Sequence, residues 1–258
     1  MLPIVARMNV GIYKGAAAMA AYEHWQEAIA QNLAAAPVNG YRRTQTSFNG
    51  IVGDLMKLKD GNSKVQKEVK GVMPATSNTL STVPGSMAYT GIETNFAIEG
   101  DAFFRVRKPD NTVGYTRNGN FRQNAERELV TQDGNIVEGE NGVIKFRQEG
   151  GAILLNSEGR LIQGELQIAK LPVYAFEKPA EMRRIGDGLL APAEGDRPRV
   201  PGKSPVLHMV LEGSNVAPLQ EMVNMVTVGR AYEMARKVVE VQDDVVGKAI
   251  QGLGAPLA

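Results

Sequence analysis

A seven-residue period recurs at both ends of this chain, and it constrains the fold more than any other feature. Near the start, Ile12, Met19, Gln26 and Leu33 lie seven apart, interleaved with Gly15, Tyr22, Ile29 and Ala36. Near the end, Met225, Tyr232, Val239, Val246 and Leu253 repeat the spacing, with Val228, Ala235, Gln242 and Ala249 as a second rung. Such intervals put an a/d seam along one face of a helix, and a seam is stable only against partner helices. A chain with seams at both termini and its middle looped out between them is organised for assembly.

The first helix adds a second constraint. From Ile12 to Ala36 the formally charged side chains are Lys14, Glu23 and Glu27, and alanine fills most other faces. Alanine favours helix and lets backbones approach closely, while a helix without a broad polar face is buried on several sides. An intramolecular hairpin of the two terminal helices would cover one side. The remaining surface points to neighbouring subunits, so Ile12, Met19, Tyr22, Trp25, Ile29, Leu33, Met225, Val228, Tyr232, Val239 and Val246 are the expected assembly interface. Trp25 flanks the seam, where it would either anchor a contact with a neighbouring subunit or cover the edge of an internal hairpin.

Proline and glycine divide the rest. Pro37 should end the first helix, because proline lacks the amide donor and disfavours helix in the residue before it. Residues 44–90 read as an extended, poorly regular connector, with a helical stretch possible from Phe48 to Lys59, a turn at Asp60-Gly61-Asn62-Ser63 and a polar run from Lys64 to Lys70. From Gly91 short alternating segments are punctuated by Pro109-Asp110-Asn111, Asn118-Gly119, Asp133-Gly134, Asn141-Gly142 and Ser157-Glu158-Gly159. Turn signals at this spacing predict an all-β domain, a small distorted barrel or sandwich. Phe103 and Phe104 should point to opposite faces of one strand. A second long helix is expected over about 216–250, with Asn215 as N-cap and Pro218 in the first turn.

The fold class is therefore α+β: an all-β central domain with N- and C-terminal helices that pair in a coiled-coil-like terminal domain. Residues 1–43 with 211–258 form the discontinuous helical domain, 44–90 the connector and 91–210 the β-rich domain.

Three blocks of sequence resemble the axial proteins of the bacterial flagellar basal body, the rod and hook family. The first runs from Ile12-Tyr13-Lys14-Gly15-Ala16-Ala17 through Ala30-Gln31-Asn32-Leu33-Ala34 to Val38-Asn39-Gly40-Tyr41-Arg42-Arg43. The second runs from Thr90-Gly91 through Phe96-Ala97-Ile98-Glu99-Gly100-Asp101-Ala102-Phe103-Phe104 and Tyr115-Thr116-Arg117-Asn118-Gly119-Asn120-Phe121 to Leu129-Val130-Thr131-Gln132-Asp133-Gly134. The third is Leu211-Glu212-Gly213-Ser214-Asn215-Val216, then Glu221-Met222-Val223-Asn224-Met225 and Arg230-Ala231-Tyr232-Glu233. Together they cover a little under half the chain in the family's order. The sequence departs from the family pattern at Ala35, at Ala102 and at Arg127-Glu128, where a turn glycine is usual. Among the rod types, chain length and the Leu211 block favour the FlgF-like one over the FlgG-like one.

The resemblance implies a non-enzymatic rod subunit, located in the basal body where the rod crosses the periplasm. Its partners would be copies of itself and other rod and hook axial subunits, and it would be exported unfolded by the flagellar type III apparatus without a cleaved signal peptide. Residues 1–10, with Pro3, Arg7 and Asn9, lack the apolar core of a signal peptide.

Chemistry is sparse. A net charge of +1 with no basic cluster gives no electrostatic case for nucleic acid or an anionic membrane, and no direct membrane insertion is expected. Cysteine is absent, which removes disulfides, thiol catalysis and thiolate metal sites. His24 falls on the outer face of the first helix as a surface or contact residue, and His208 has no His, Cys or acidic companion at metal-ligand spacing, so no metal or cofactor is expected. Glu99 and Asp101, two apart, are the one pair that could serve as acid and base, but Glu-Gly-Asp before Phe103-Phe104 reads as a strand end and turn. Two other readings remain: an adhesin-like β module on a helical stalk, which leaves the paired seams unexplained, and a hydrolase, which rests on that carboxylate pair.

Overall fold

The computed structural model describes residues 2–53, 71–148, 150–156, 158–200 and 204–254. The chain divides into two compact units, one of Met1–Gln31, Thr46–Asn78 and Leu219–Ala258, the other of Asn32–Gln45 and Thr79–Pro218.

The first unit contains most of two long helices, α1 (Leu2–Ala34) and α2 (Pro218–Gly254), the last turn of α1 and the first residue of α2 falling in the second unit. They run antiparallel, with Gly11 beside Gln242, Gly15 against Val239 and Gln26 near Gly229. The Tyr232 hydroxyl donates to Glu23 Oε1 at 3.1 Å. Gly15 is needed where it stands, because a Cβ there would collide with the Val239 side chain. The expected pairing of the terminal helices is thus realised within one chain. Helix α1 stops three residues before Pro37, and single turns, Ala36 N–H to Leu33 C=O and Val38 N–H to Ala35 C=O, lead out of it.

The first unit also holds most of a two-stranded ribbon of Thr44–Gly53 and Gly71–Leu80, whose outer ends, at Thr44 and Leu80, fall in the second unit. The sequence admits a helical stretch from Phe48 to Lys59, and the structure corrects this for residues 48–53, which are extended and paired. Thr46 donates its hydroxyl to Asn78 Oδ1, the hydroxyls of Ser47 and Ser77 meet at 2.7 Å, and Phe48 sits edge-on to Trp25 with ring centroids 5.1 Å apart. These side chains reward an extended, paired backbone more than a helix would. The connector is therefore more regular than expected. Residues 54–59, the turn at 60–63 and the polar run from Lys64 to Lys70 lie outside the described residues.

The second unit is built on antiparallel pairing. Its largest sheet has nine described strands, and the central one, Ala102–Arg107, pairs with Val113–Thr116, Ile136–Gly139 and Val173–Ala175. A three-stranded sheet of Ile153–Leu155, Arg160–Gln163 and Leu166–Lys170 adds to it. Successive residues of the central strand point to opposite faces, as anticipated for Phe103 and Phe104. Ala102, Phe104 and Val106 join Phe96, Ile98, Phe121, Leu129, Leu161 and Leu171 in the main core. Phe103 joins Leu80, Tyr115, Phe176, Met182 and Leu190 in a second cluster. At about 1.5–3 kcal/mol for each fully buried large apolar side chain, these clusters dominate the unit's stability.

Two local features follow from backbone demands. Gly119 is indispensable, since a Cβ there would fall on the Phe96 carbonyl oxygen, and Phe96 N–H donates to Gly119 C=O at 3.0 Å. Arg127, standing where a turn glycine is usual in the resembled family, adopts φ 63. An L-residue in this left-handed conformation costs about 1–2 kcal/mol, and Asn124 holds the turn by accepting from Glu128 N–H through its side chain.

Candidate functional site

The seam residues lie mostly on the inner sides of the paired helices. Ile29 and Val228 are buried, and Ile12, Met19, Tyr22, Trp25, Leu33, Met225, Tyr232, Val239 and Val246 are half-buried. The hydrogen bond from Tyr232 to Glu23, followed by partial desolvation, raises the tyrosine's pKa above 10.0. A groove of about 380 Å³ opens beside the seam, with Ala18 and Ala21 as its floor and Tyr22, Trp25 and Phe48 as its walls.

Sequence reasoning missed the other face of α2. Leu219, Met222, Val223, Val226, Met234, Val238, Val241 and Val245 are all more than half exposed. At 3.6 residues per turn they form a stripe roughly opposite Val228, Tyr232 and Val239. The spacing of three and four from Leu219 to Val226, and again from Met234 to Val245, was the signal. It was hidden because the heptad ladder accounts for one face only. Monomeric soluble proteins seldom leave an apolar stripe of this extent uncovered.

A buried charge cluster lies in the second unit. Glu212 is 1% exposed. Its carboxylate receives Arg117 Nε at 2.8 Å, one Arg117 terminal nitrogen at 2.5 Å, Arg42 at 3.0 Å and the Gly85 N–H at 3.0 Å. Arg117 also donates to the carbonyls of Ile98, Gly100 and Ala102, and Arg42 to those of Thr82 and Val83. Burial lowers the pKa of Arg42, with Glu212 opposing that shift. Such a cluster is tolerable only because its charges are paired and its donors satisfied.

Around this cluster three chain segments are laced together. Gly40 N–H donates to Glu212 C=O, Asn215 N–H to Tyr41 C=O and Gly213 N–H to Ser86 C=O. Gly40, at φ 67, packs where a Cβ would strike the Arg117 backbone. Asn215 is not an N-cap, which corrects the sequence reading: its Oδ1 accepts from Arg43 N–H at 2.6 Å and its Nδ2 donates to Val83 C=O at 2.7 Å. Asn32 grips Thr44 in the same manner, donating to its carbonyl and accepting from its N–H, each at 2.8 Å. The three sequence blocks that carry the flagellar resemblance meet here.

The residues considered for catalysis are not brought together. Glu99 and Asp101 are exposed on either side of Gly100, φ 104, in the turn between Phe96–Ile98 and Ala102–Arg107. His208 stacks on Phe96 with centroids 5.8 Å apart and its Nε2 lies 3.0 Å from Glu93 C=O. His24 is exposed, 3.9 Å from Glu27. Among the described residues no group of three or more His, Asp or Glu side chains could hold a metal, and no helix is long and apolar enough to cross a membrane.

Long terminal helices with an uncovered apolar face, together with a β unit whose polar investment is structural, define a subunit of an assembly. The comparisons agree. Residues 97–176 match the flagellar hook protein FlgE/F/G D1 domain, and residues 209–252 match the flagellar basal body rod FlgEFG protein C-terminal family. The chain is 30% identical to the flagellar basal-body rod protein FlgF of Rhizobium meliloti over 96% of this chain and 99% of that one. It is 28% identical to FlgG of Borreliella burgdorferi, over 94% and 98%, and 29% identical to FlgF of Salmonella typhimurium, over 95% and 98%. The chain belongs to the flagellar basal-body rod protein family and is FlgF- or FlgG-like.

Proposed function

We propose that this protein is a non-enzymatic structural subunit of the flagellar rod, built into the basal body with copies of itself and other rod and hook axial subunits. The observation that carries the assembly mechanism is the apolar stripe on α2. Its eight apolar side chains are each more than half exposed along one face of the helix, a surface of the kind that assembly covers. The seam residues from Ile12 to Leu33 and from Met225 to Val246 supply the helix pair that displays this stripe. A contact between unlike surfaces of successive subunits closes no dimer, and where its rotation does not close a ring it propagates as a helical filament. Family membership also supports delivery of the unfolded chain by the flagellar type III export apparatus.

Negative-stain images of the concentrated protein, mixed with its neighbouring rod subunits, should contain short rods or tubes. The double substitution Met222→Asp and Val226→Asp should abolish them while the β unit keeps its melting temperature. Rods formed as readily by this variant would remove the outer stripe from the mechanism.

A further inference from the structure

The seam between α1 and α2 does little to hold its own register. Its residues repeat every seven positions, so a slip of one heptad would present Val246 to Gly15 where Val239 now stands, and the apolar pattern would survive. Polar chemistry rewards the observed register weakly: the hydrogen bond from Tyr232 to Glu23 is exposed, and Gln242, beside Gly11, leaves its buried Oε1 without a hydrogen-bond partner. The charge cluster at Glu212, in contrast, admits one arrangement. Its carboxylate oxygens are committed to Arg42, Arg117 and the Gly85 N–H, and its own carbonyl accepts from Gly40 N–H. Asn32, in the last turn of α1, is tied to Thr44, and Asn215, three residues before α2, is tied to Arg43. The chain leaving α1 and the chain approaching α2 therefore run side by side through one point of the β unit.

We infer that Glu212 is a positioning residue for assembly, fixing where these two chain segments meet and so setting the heptad register in which the terminal helices pair. A one-heptad slip would displace the outer stripe of α2 by about 10 Å along α1, enough to misplace every contact it offers. Register is a property of the single chain, so it can be tested apart from polymerisation.

The absence of cysteine makes the full-length chain a clean background for introduced pairs. Glu23→Cys with Tyr232→Cys reports the observed register, since these side chains touch. Glu23→Cys with Val239→Cys reports the slipped one. Oxidation of the otherwise unchanged protein should join the first pair and not the second. Adding Glu212→Gln should cause loss of the first cross-link and gain of the second, with near-ultraviolet circular dichroism confirming a folded β unit. If Glu212→Gln unfolds that unit, Asn215→Ala carries the test, because it cuts the ties to Arg43 and Val83 without stranding a buried charge. The inference is overturned if the first cross-link persists undiminished in a folded variant, or is absent from the parent pair. It is equally overturned if both variants unfold the β unit, for the cluster would then serve folding alone.

Discussion

The β unit and the helical unit spend their apolar residues in opposite ways. In the β unit Phe96, Ile98, Phe104, Val106, Leu129 and Leu161 are wholly buried, and the charged Glu212 and Arg117 are sealed in with full pairing. The helical unit encloses Ala28, Ile29, Val228 and Glu221 among its described side chains, while eight apolar ones on α2 stand more than half exposed. One unit satisfies itself and the other is completed by something outside the chain. The difference lies in what each secondary structure can close upon: sheet faces can bury their apolar residues against one another, whereas a two-helix pair always leaves each helix an outer face.

The largest test of this contrast is in the core. Phe104→Ala should cost the β unit about 4 kcal/mol in denaturant unfolding, whereas Val228→Ala should cost about half as much or less, because the seam around it can close over the smaller void. Equal losses would mean that the helical unit is as tightly packed as the β unit. A second test concerns lifetime. Limited proteolysis of the dilute protein should trim both termini first and leave a core near residues 70–210, since long helices lacking tertiary cover open readily. Protection of both ends at micromolar concentration without oligomers would erase the distinction.

The smallest effect is alkaline. Burial raises the Tyr115 phenol above its ordinary 10.0, with Arg105 opposing the shift. The folded state thus favours the neutral phenol. Its contribution is intact below the unfolded value and is lost as pH rises through the folded one. Wild type should therefore lose more β-unit stability than Tyr115→Phe on moving above pH 10, while the two melt alike at neutral pH. Parallel losses at alkaline pH would show that another group governs the transition.

Local rules made the two long helices legible, and α2 begins and ends within a few residues of the expected span because Pro218 marks its start and the period runs on to Leu253. Alternation and turn residues likewise identified the β region and the opposed Phe103 and Phe104. What escaped was long-range. Glu212 and Arg117 are 95 positions apart, and neither residue announces a partner. Asn215 looks like an N-cap until Arg43 and Val83 are seen to claim its side chain. Phe48 read as part of a helix because its contacts with Tyr22 and Trp25 are tertiary.

Asn32 shows how narrow chemical tolerance can be at such a junction. Its side-chain amide meets the backbone of Thr44 as another peptide group would, with one donor and one acceptor in complementary places. Hydrolysis of that amide to a carboxylate would scarcely alter its size, yet it would set oxygen against the Thr44 carbonyl and turn an attraction into a repulsion. A protein locked for its working life inside a large structure cannot readily be exchanged for a fresh copy. The slow chemical ageing of one buried amide is thus a defect that this chain would have to outlast rather than repair.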